Sequence, residues 1–362
     1  MSRIDLLHLL RVEMPPPRYM AMPTAGIDIS TSGIKIALLT ERVHGLELSE
    51  FAEERLEQGI IVNGEITDTK LVIETLEKLA KKYHFQYANI ALSESRGYLF
   101  EADVPGKTIQ ELRVATEQKI DEYVPLPPQE VVFDIAPLVE NGDLTHVVGA
   151  GYARRVVEEH LALMDTAGIT TRGMEAETFA LARALLPHGD SETVLIIDIG
   201  RSSTKLMVVG SRMPRFTTTL DIGGHALTLA VQKHFGVTEE EAKRVKAERG
   251  IIAGEGNNEY VEAMLSTVSA VREEIARRLE YWQNRESQVS MHAPVTRIIL
   301  VGGNATVRGL PEYLEAALKL PVELGDVFTN LAPKTEWLPP VDYQESLAYG
   351  TAIGLALREY VP

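Results

Sequence analysis

The sequence predicts a two-lobed α/β protein, with a duplicated β-hairpin facing a shared cleft and a small α+β subdomain inserted between the two copies. Three observations predict it. First, one phrase is written twice: Gly26-Ile27-Asp28-Ile29-Ser30-Thr31-Ser32-Gly33-Ile34-Lys35, then Ile196-Ile197-Asp198-Ile199-Gly200-Arg201-Ser202-Ser203-Thr204-Lys205. Each is an apolar run, an Asp, a turn of small residues, and a Lys seven residues after the Asp. An apolar run that breaks into Gly, Ser and Thr and then resumes is the pattern of a β-hairpin. Second, strand–helix–strand–strand–helix text fills residues 98–166 between the copies. Third, 362 residues suffice for about two or three domains.

The elements follow in order. Residues 24–40 read as the first hairpin, and Glu47 to Phe51 stays β-like. Asp68 opens a helix whose Leu71, Ile73, Leu76 and Leu79 recur at helical spacing. Asn89 to Leu92 is a short buried strand, and 98–104 is a strand ending at Pro105-Gly106. Thr108 with Glu111 forms a capping box, and its helix stops before Pro125. Strands at 131–139 and 145–151 flank an Asn141-Gly142-Asp143 turn, and a helix runs from about 154 to 166. A connecting helix covers Glu175 to Leu186, and the apolar run 193–200 predicts a central strand. A helix follows Gly223-Gly224, and Thr238 with Glu241 caps another that ends at Gly250. A long helix spans 260–286, and strand 296–301 runs into Gly302-Gly303-Asn304. Pro311 begins a further helix, and Gln344 to Glu359 forms the last, with small residues on one face. That face predicts close helix–helix contact first and a hinge second.

The twin phrase carries the chemistry. Small turn residues let backbone N–H groups approach an anion, which points to Ser30, Thr31, Ser32, Gly200, Ser202, Ser203 and Thr204. Asp28 and Asp198, at strand ends, suit a hydrated Mg²⁺ held directly or through water. Lys35 and Lys205 are placed to assist with phosphate. One such turn alone commonly just closes a hairpin, whereas two at matched spacing could grip one polyphosphate from both sides. Gly302, Gly303, Asn304 and Arg308 follow a strand and precede a helix, where a base or ribose can lie on the backbone. Gly223 and Gly224 also open a helix, which favours an anion. Lys243 and Lys246 lie on a Glu-rich helix; a solvated face is one reading, and contact of Lys246 with a ligand is the other.

Composition excludes other classes. The net charge of −16 and pI near 5.1 argue against non-specific nucleic-acid binding and against direct contact with an anionic membrane. Cysteine is absent, which removes disulfides and thiolate zinc sites. There is no G-x-x-x-x-G-K-[ST], no H-E-x-x-H and no G-x-S-x-G. No run approaches the roughly 18–20 apolar residues of a membrane-spanning helix. Ile4, Leu6, Leu7, Leu9 and Leu10 cluster ahead of Pro15-Pro16-Pro17; residues 1–23 read either as a lightly docked arm or as a short partner- or membrane-touching helix.

The motif order resembles the actin, Hsp70 and sugar-kinase ATPase superfamily, an actin-like (ribonuclease H-like) fold. The stretches Phe100-Glu101-Ala102-Asp103-Val104-Pro105, Tyr123-Val124-Pro125 and Val132-Phe133-Asp134-Ile135 lie where FtsA-like proteins carry an extra subdomain in place of the usual actin insert. With Gly64-Glu65-Ile66-Thr67-Asp68, Ala167-Gly168-Ile169, Glu274 to Tyr281 and Pro321-Val322-Glu323, the chain resembles the PilM family of type IV pilus assembly proteins over residues 24–360. The resemblance implies five parts: an arm (1–23), a first half-domain (24–97 plus 340–362), an inserted subdomain (98–172), a second half-domain (173–225 plus 296–339) and a helical subdomain (226–295). It implies a cytoplasmic adaptor that binds ATP or ADP with Mg²⁺, in the inner-membrane platform of a pilus or type II secretion-like machine that drives twitching motility. Its partner would be the N-terminal tail of a PilN-like membrane protein, held in a groove framed by residues 98–135 and 150–175. It also implies communication with assembly and retraction motors, attachment to the membrane through a partner, and an oligomeric state left open. On this reading Glu175, on the connecting helix, is the candidate for positioning a water, with weak or no turnover. Two departures stand out: Ser30 replaces a Gly, and Lys243 replaces a ribose-facing Glu. The alternatives are an FtsA-like polymerising division protein and an actin-fold ATPase or kinase with true turnover. Against the former, no basic amphipathic helix follows the terminal helix.

Overall fold

The computed structural model describes residues 22–284 and 293–360. The expected N-terminal arm, apart from its last two residues, lies outside them, as do the final two residues of the expected 260–286 helix.

The duplication read from the twin phrase extends to whole sheets. In the first lobe β1 (Thr24–Ser30), β2 (Gly33–Arg42) and β3 (Gly45–Arg55) form an antiparallel meander. A small ribbon, β4 (Ile61–Val62) with β5 (Glu65–Ile66), precedes helix α1 (Thr69–Tyr83). Strand β6 (Tyr87–Leu92) then pairs parallel with β1. The inserted subdomain comprises β7 (Gly97–Pro105), α2 (Ile109–Glu117), α3 (Ile120–Tyr123), β8 (Val131–Asn141) and β9 (Leu144–Ala153). After α4 (Arg154–Thr166), β10 (Thr170–Ala176) returns to pair parallel with β6. Helix α5 (Glu177–Leu185) leads into the second lobe.

There β11 (Thr193–Ile199), β12 (Thr204–Gly210) and β13 (Met213–Leu220) repeat the meander. Helices α6 (Gly224–Phe235), α7 (Glu239–Arg249) and α8 (Asn258–Asn284) follow. Strand β14 (Arg297–Val301) pairs parallel with β11, and past α9 (Leu310–Leu318), β15 (Val322–Leu324) pairs parallel with β14. The chain ends in α10 (Tyr343–Ser346), a tight turn and α11 (Gly350–Leu357). The two sheet orders, β3-β2-β1-β6-β10 and β13-β12-β11-β14-β15, are the same order with the same strand directions. This is the actin-like α/β fold.

Local chemistry explains the helix starts. Asp68 caps α1 by accepting from the Leu71 N–H at 3.0 Å. Both predicted capping boxes form, Thr108 with Glu111 and Thr238 with Glu241, each satisfying otherwise orphaned first-turn donors. Each lobe has its own core, one around Ile27, Ile36, Leu76 and Ile90, the other around Ile196, Met207, Leu300 and Trp282. The insert has a third, with Val104, Leu112 and Val147.

Three expectations shift. The expected insert, 98–172, divides its contacts: its sheet and core end by Ala153, α4 touches β8 and β9 but buries Leu163 and Met164 in the first-lobe core, and β10 joins the first-lobe sheet. Residues 175–176 are strand, and the connecting helix starts at Glu177. The last helix is broken at 347–349. The small-residue face does make close contacts: a Cβ at Gly354 would run into the Ala180 carbonyl of α5, and one at Gly26 into the Ala352 carbonyl of α11. Among the described residues no helix is long and apolar enough to cross a membrane.

Candidate functional site

The two hairpin turns open on one cleft of about 1330 Å³ between the lobes. Strand register puts the key pairs there: Asp28 lies directly opposite Lys35 on β2, and Asp198 directly opposite Lys205 on β12. Directly opposed residues of an antiparallel ladder share a face, so each Asp and its Lys point the same way. Asp28, Ser30, Thr31, Ser32 and Lys35 line the cleft from the first lobe. Asp198, Gly200, Ser202, Ser203 and Lys205 line it from the second.

The turns differ in detail. In the first, Lys35 Nζ donates to Ser32 Oγ at 2.7 Å and pairs with Glu53 at 3.5 Å. Ser30, which departs from the expected Gly, does not strain the first turn. Neither Ser30 nor Gly200 has a positive φ; the position that requires glycine is Gly33, with φ +149° and the Glu54 carbonyl where a Cβ would sit. In the second turn Gly200 N–H donates to the Ser203 carbonyl at 2.9 Å. Lys205 leaves its own hairpin and pairs with Glu177 at the start of α5, with Asp198 4.0 Å away.

The floor of the cleft is crowded with carboxylates. Asp28 and Glu177 line it and are buried, and the buried Glu94 lies outside the lining. Burial pushes the Glu177 carboxyl up to about 7, with Lys205 opposing and Asp28 adding to the rise. Burial likewise raises Asp28 against the attraction of Lys35 and Lys205. Burial works against the Lys205 ammonium, but Glu177, Asp198 and Asp28 outweigh it and hold it charged. A site with this surplus of negative charge favours a cation. Among the described residues no group of three or more His, Asp or Glu side chains is placed to hold a metal alone. Two carboxylates flanking a cleft of turn amides fit Mg²⁺ carried with phosphate and water, a set such ions commonly keep.

The opposite wall comes from the second lobe. Gly224, Lys243, Lys246, Gly302, Gly303, Asn304 and Arg308 all line it. Asn304 is a structural tie: its Nδ2 donates to the Gly200 carbonyl at 2.9 Å, and its Oδ1 accepts from Lys246 Nζ at 2.7 Å. Lys246 also donates to the Gly224 carbonyl at 3.1 Å. Burial, with the charge of Lys243 acting in the same direction, lowers its pKa to about 8. Lys243 pairs with Glu239 at 2.7 Å. At Gly302, φ is +93° and a Cβ would strike Asp198 and the Ile199 backbone, so only glycine lets that loop approach the second turn.

Three expected site residues stand elsewhere. Thr204 is buried and donates to the Ile222 carbonyl at 2.7 Å. Gly223 packs beneath the second turn, where a Cβ would meet the Ser203 N and the Arg201 carbonyl. Glu175 is not in the cleft lining. Arg183 grips it through both nitrogens, at 2.5 and 2.9 Å, while also donating to the Gly354 carbonyl, and Arg358 lies 3.5 Å away. Glu175 therefore ties β10 to the crossing of α5 and α11, and its role as the water-positioning group is withdrawn. Glu177, two residues on, does line the cleft. Sequence reasoning missed it because Thr170-Thr171-Arg172-Gly173 hid a strand, so the helix was started two residues early.

Residues 26–360 match the family described as type IV pilus assembly protein PilM. The chain belongs to that family. Among related proteins, the cell division protein FtsA of Borreliella burgdorferi is 21% identical over 302 residues, covering 75% of this chain and 70% of that one. FtsA of Agrobacterium fabrum is 27% identical over 216 residues, covering 52% and 47%. Among solved structures, a PilM–PilN type IV pilus biogenesis complex superposes with a TM-score of 0.78 at 23% identity, covering 94% of this chain and 99% of that one. MreB5 of Spiroplasma citri bound to AMPPNP gives 0.55 at 13% identity, covering 86% and 94%. At these identities the structural likeness is one of fold, and it agrees with the family assignment.

Proposed function

We propose that this PilM-family protein is an ATP-binding adaptor of a pilus assembly platform, in which Mg²⁺ and a nucleotide bind between the two Asp–Lys hairpins. The observation that carries the reading is the matched register, which turns two acids and two ammonium groups from separate lobes onto one cleft. The turns of residues 30–33 and 200–203 would hold the polyphosphate, and Asp28 and Asp198 would hold Mg²⁺ through water. Lys246 and the Gly302–Gly303 loop would face the nucleoside. Bound Mg²⁺ would neutralise phosphate charge and balance the acidic floor. The fold neighbour MreB5 was solved with ADP and with AMPPNP, which supports a nucleotide here.

The neighbour solved as a PilM–PilN complex supports a PilN-like partner. Its N-terminal tail would lie in the groove framed by 98–135 and 150–175, holding the protein at the cytoplasmic face of the membrane. In the full chain, Asp28→Asn with Asp198→Asn abolishes ATP binding measured by calorimetry. Unchanged affinity in that double variant overturns the site. A pull-down with the tail of a PilN-like protein, with and without ATP, tests the adaptor role; no capture in either state overturns it.

Slow turnover is the secondary reading. Glu177 lines the cleft, and Lys205 occupies it. A general base must be free to accept a proton in the reacting complex. A base locked to an ammonium gives a phosphate-release rate far below the roughly 1–100 per second of kinases.

A further inference from the structure

Glu94 is a buried carboxylate that the nucleotide reading leaves unused. It lies on the short helical turn Glu94–Arg96 that joins β6 of the first lobe to β7 of the insert. Its Oε1 accepts from the Thr178 N–H at 3.1 Å and from the Thr178 hydroxyl. Those donors belong to the first turn of α5, the end of a helix that favours a negative charge. The residue before Thr178 is Glu177, which holds Lys205, which in turn faces Asp198. From the nucleotide cleft to the entry of the insert, the path therefore runs through ion pairs and one helix terminus.

The neighbours of Glu94 close the junction on its other sides. Burial raises the Glu94 carboxyl, and the Thr178 donors, Lys205 and Thr217 of β13 pull the other way. Next to it on the same strand but one, Arg215 pairs with Glu101 of β7 at 2.8 Å, both side chains buried. Tyr152 of β9 donates to the Leu92 carbonyl at 3.2 Å, and its ring covers Gly97, where a Cβ would have no room. The first lobe, the second lobe, α5 and the insert thus meet around one carboxylate. A charged group is costly to bury unless its bonds are kept, so a shift of α5 relative to β7 is resisted at this point.

We propose that Glu94 is a positioning residue that joins the nucleotide cleft to the inserted subdomain, holding the first turn of α5 so that what binds at Asp28 and Asp198 is transmitted to β7 and β9. The proposal rests on the nucleotide reading above and adds to it the residue through which the insert responds.

The test uses hydrogen exchange by mass spectrometry on the full chain, with and without Mg-ATP, beside ATP affinity by calorimetry. In the unaltered protein Mg-ATP slows exchange in residues 97–105 and 144–153 as well as at the two turns. Glu94→Gln keeps the shape and replaces the carboxyl oxygens with an amide. It lowers ATP affinity at least fivefold, and at saturating ATP it keeps protection of the turns while losing that of the insert. Thr178→Val removes the hydroxyl and spares the carboxylate and the backbone N–H; it shows the same loss in weaker form and decides the matter if Glu94→Gln does not fold. If the unaltered protein binds ATP and both variants respond as it does, or its insert never responds, Glu94 has no such role and the nucleotide site stands. If the unaltered protein binds no ATP, the nucleotide reading fails and this proposal with it.

Discussion

The two hairpins share sequence pattern, register and sheet position, yet their lysines are wired differently. Lys35 stays at home, bonded to Ser32 of its own turn and to Glu53 of the neighbouring strand. Lys205 leaves home and crosses to Glu177 on the helix between the lobes. Duplication supplied two equivalent grips, and the contacts made one of them local and the other an inter-lobe connection. The difference follows from what each lysine faces. Glu53 on β3 stands opposite Lys35 in the ladder, whereas Thr219 stands opposite Lys205 on β13 and offers no charge.

Removing each lysine is the sharpest way to break this comparison. Lys205→Met leaves Glu177 buried beside Asp28 and Glu94 with no ammonium, and taking one partner from a buried ion pair costs about 3–5 kcal/mol. Lys35→Met forfeits a charged hydrogen bond and an ion pair, about 1.5–3 kcal/mol, and leaves the inter-lobe contact intact. Denaturant unfolding measures both. Equal losses would mean that the two grips are equivalent after all.

The turns offer a second test. By pattern, Ser30 looks like the defect, standing where the second copy has Gly200. In the structure neither needs positive φ, while Gly33 does and also lies against the Glu54 carbonyl. Gly33→Ala therefore costs about 1–3 kcal/mol through strain. Ser30→Gly, the substitution toward the pattern, gains nothing and costs about 0.5–1 kcal/mol through chain entropy. A stabilising Ser30→Gly would show that the first turn is the strained one.

Much of this was legible in the sequence because period-2 hairpins, capping boxes and glycine loops are local signals. Asp28, Asp198, Gly302 and Lys246 were found from such signals, and all line the cleft. What stayed hidden depends on distant partners. Strand β10 carries Arg172 and Gly173 in place of a clean alternation, and it is a strand because β6 pairs with it and Arg358 lies across Gly173. Missing it placed Glu175 on the helix and in the cleft. Its bond to Arg183 and the burial of Glu94 and Glu177 arise only where α5 meets α11, β13 and the insert. No local pattern marks a carboxylate that will be buried by residues a hundred positions away.

A further difference lies in the wall that the second lobe builds and the first lobe has no counterpart for. Burial and the charge of Lys243 bring Lys246 to about 8, far below its unfolded value of 10.5. The unfolded chain therefore binds more protons than the folded one between about 8 and 10.5, and stability contributed by this residue rises with pH across that window. Nucleotide binding moves the other way. The ammonium is a stronger donor to a nucleoside oxygen than the neutral amine, so affinity is full below about pH 8 and declines above it as Lys246 deprotonates. Between pH 7.5 and 9.5 the loss approaches about tenfold per unit at the upper end, since one pKa unit is about 1.4 kcal/mol. Lys246→Arg stays charged over that range and should bind ATP with a flat profile, while releasing the Asn304 Oδ1 contact only in part. Calorimetric titrations of both proteins across this range decide it. Parallel profiles would remove Lys246 from the ligand and leave it as a brace between Gly224 and Asn304.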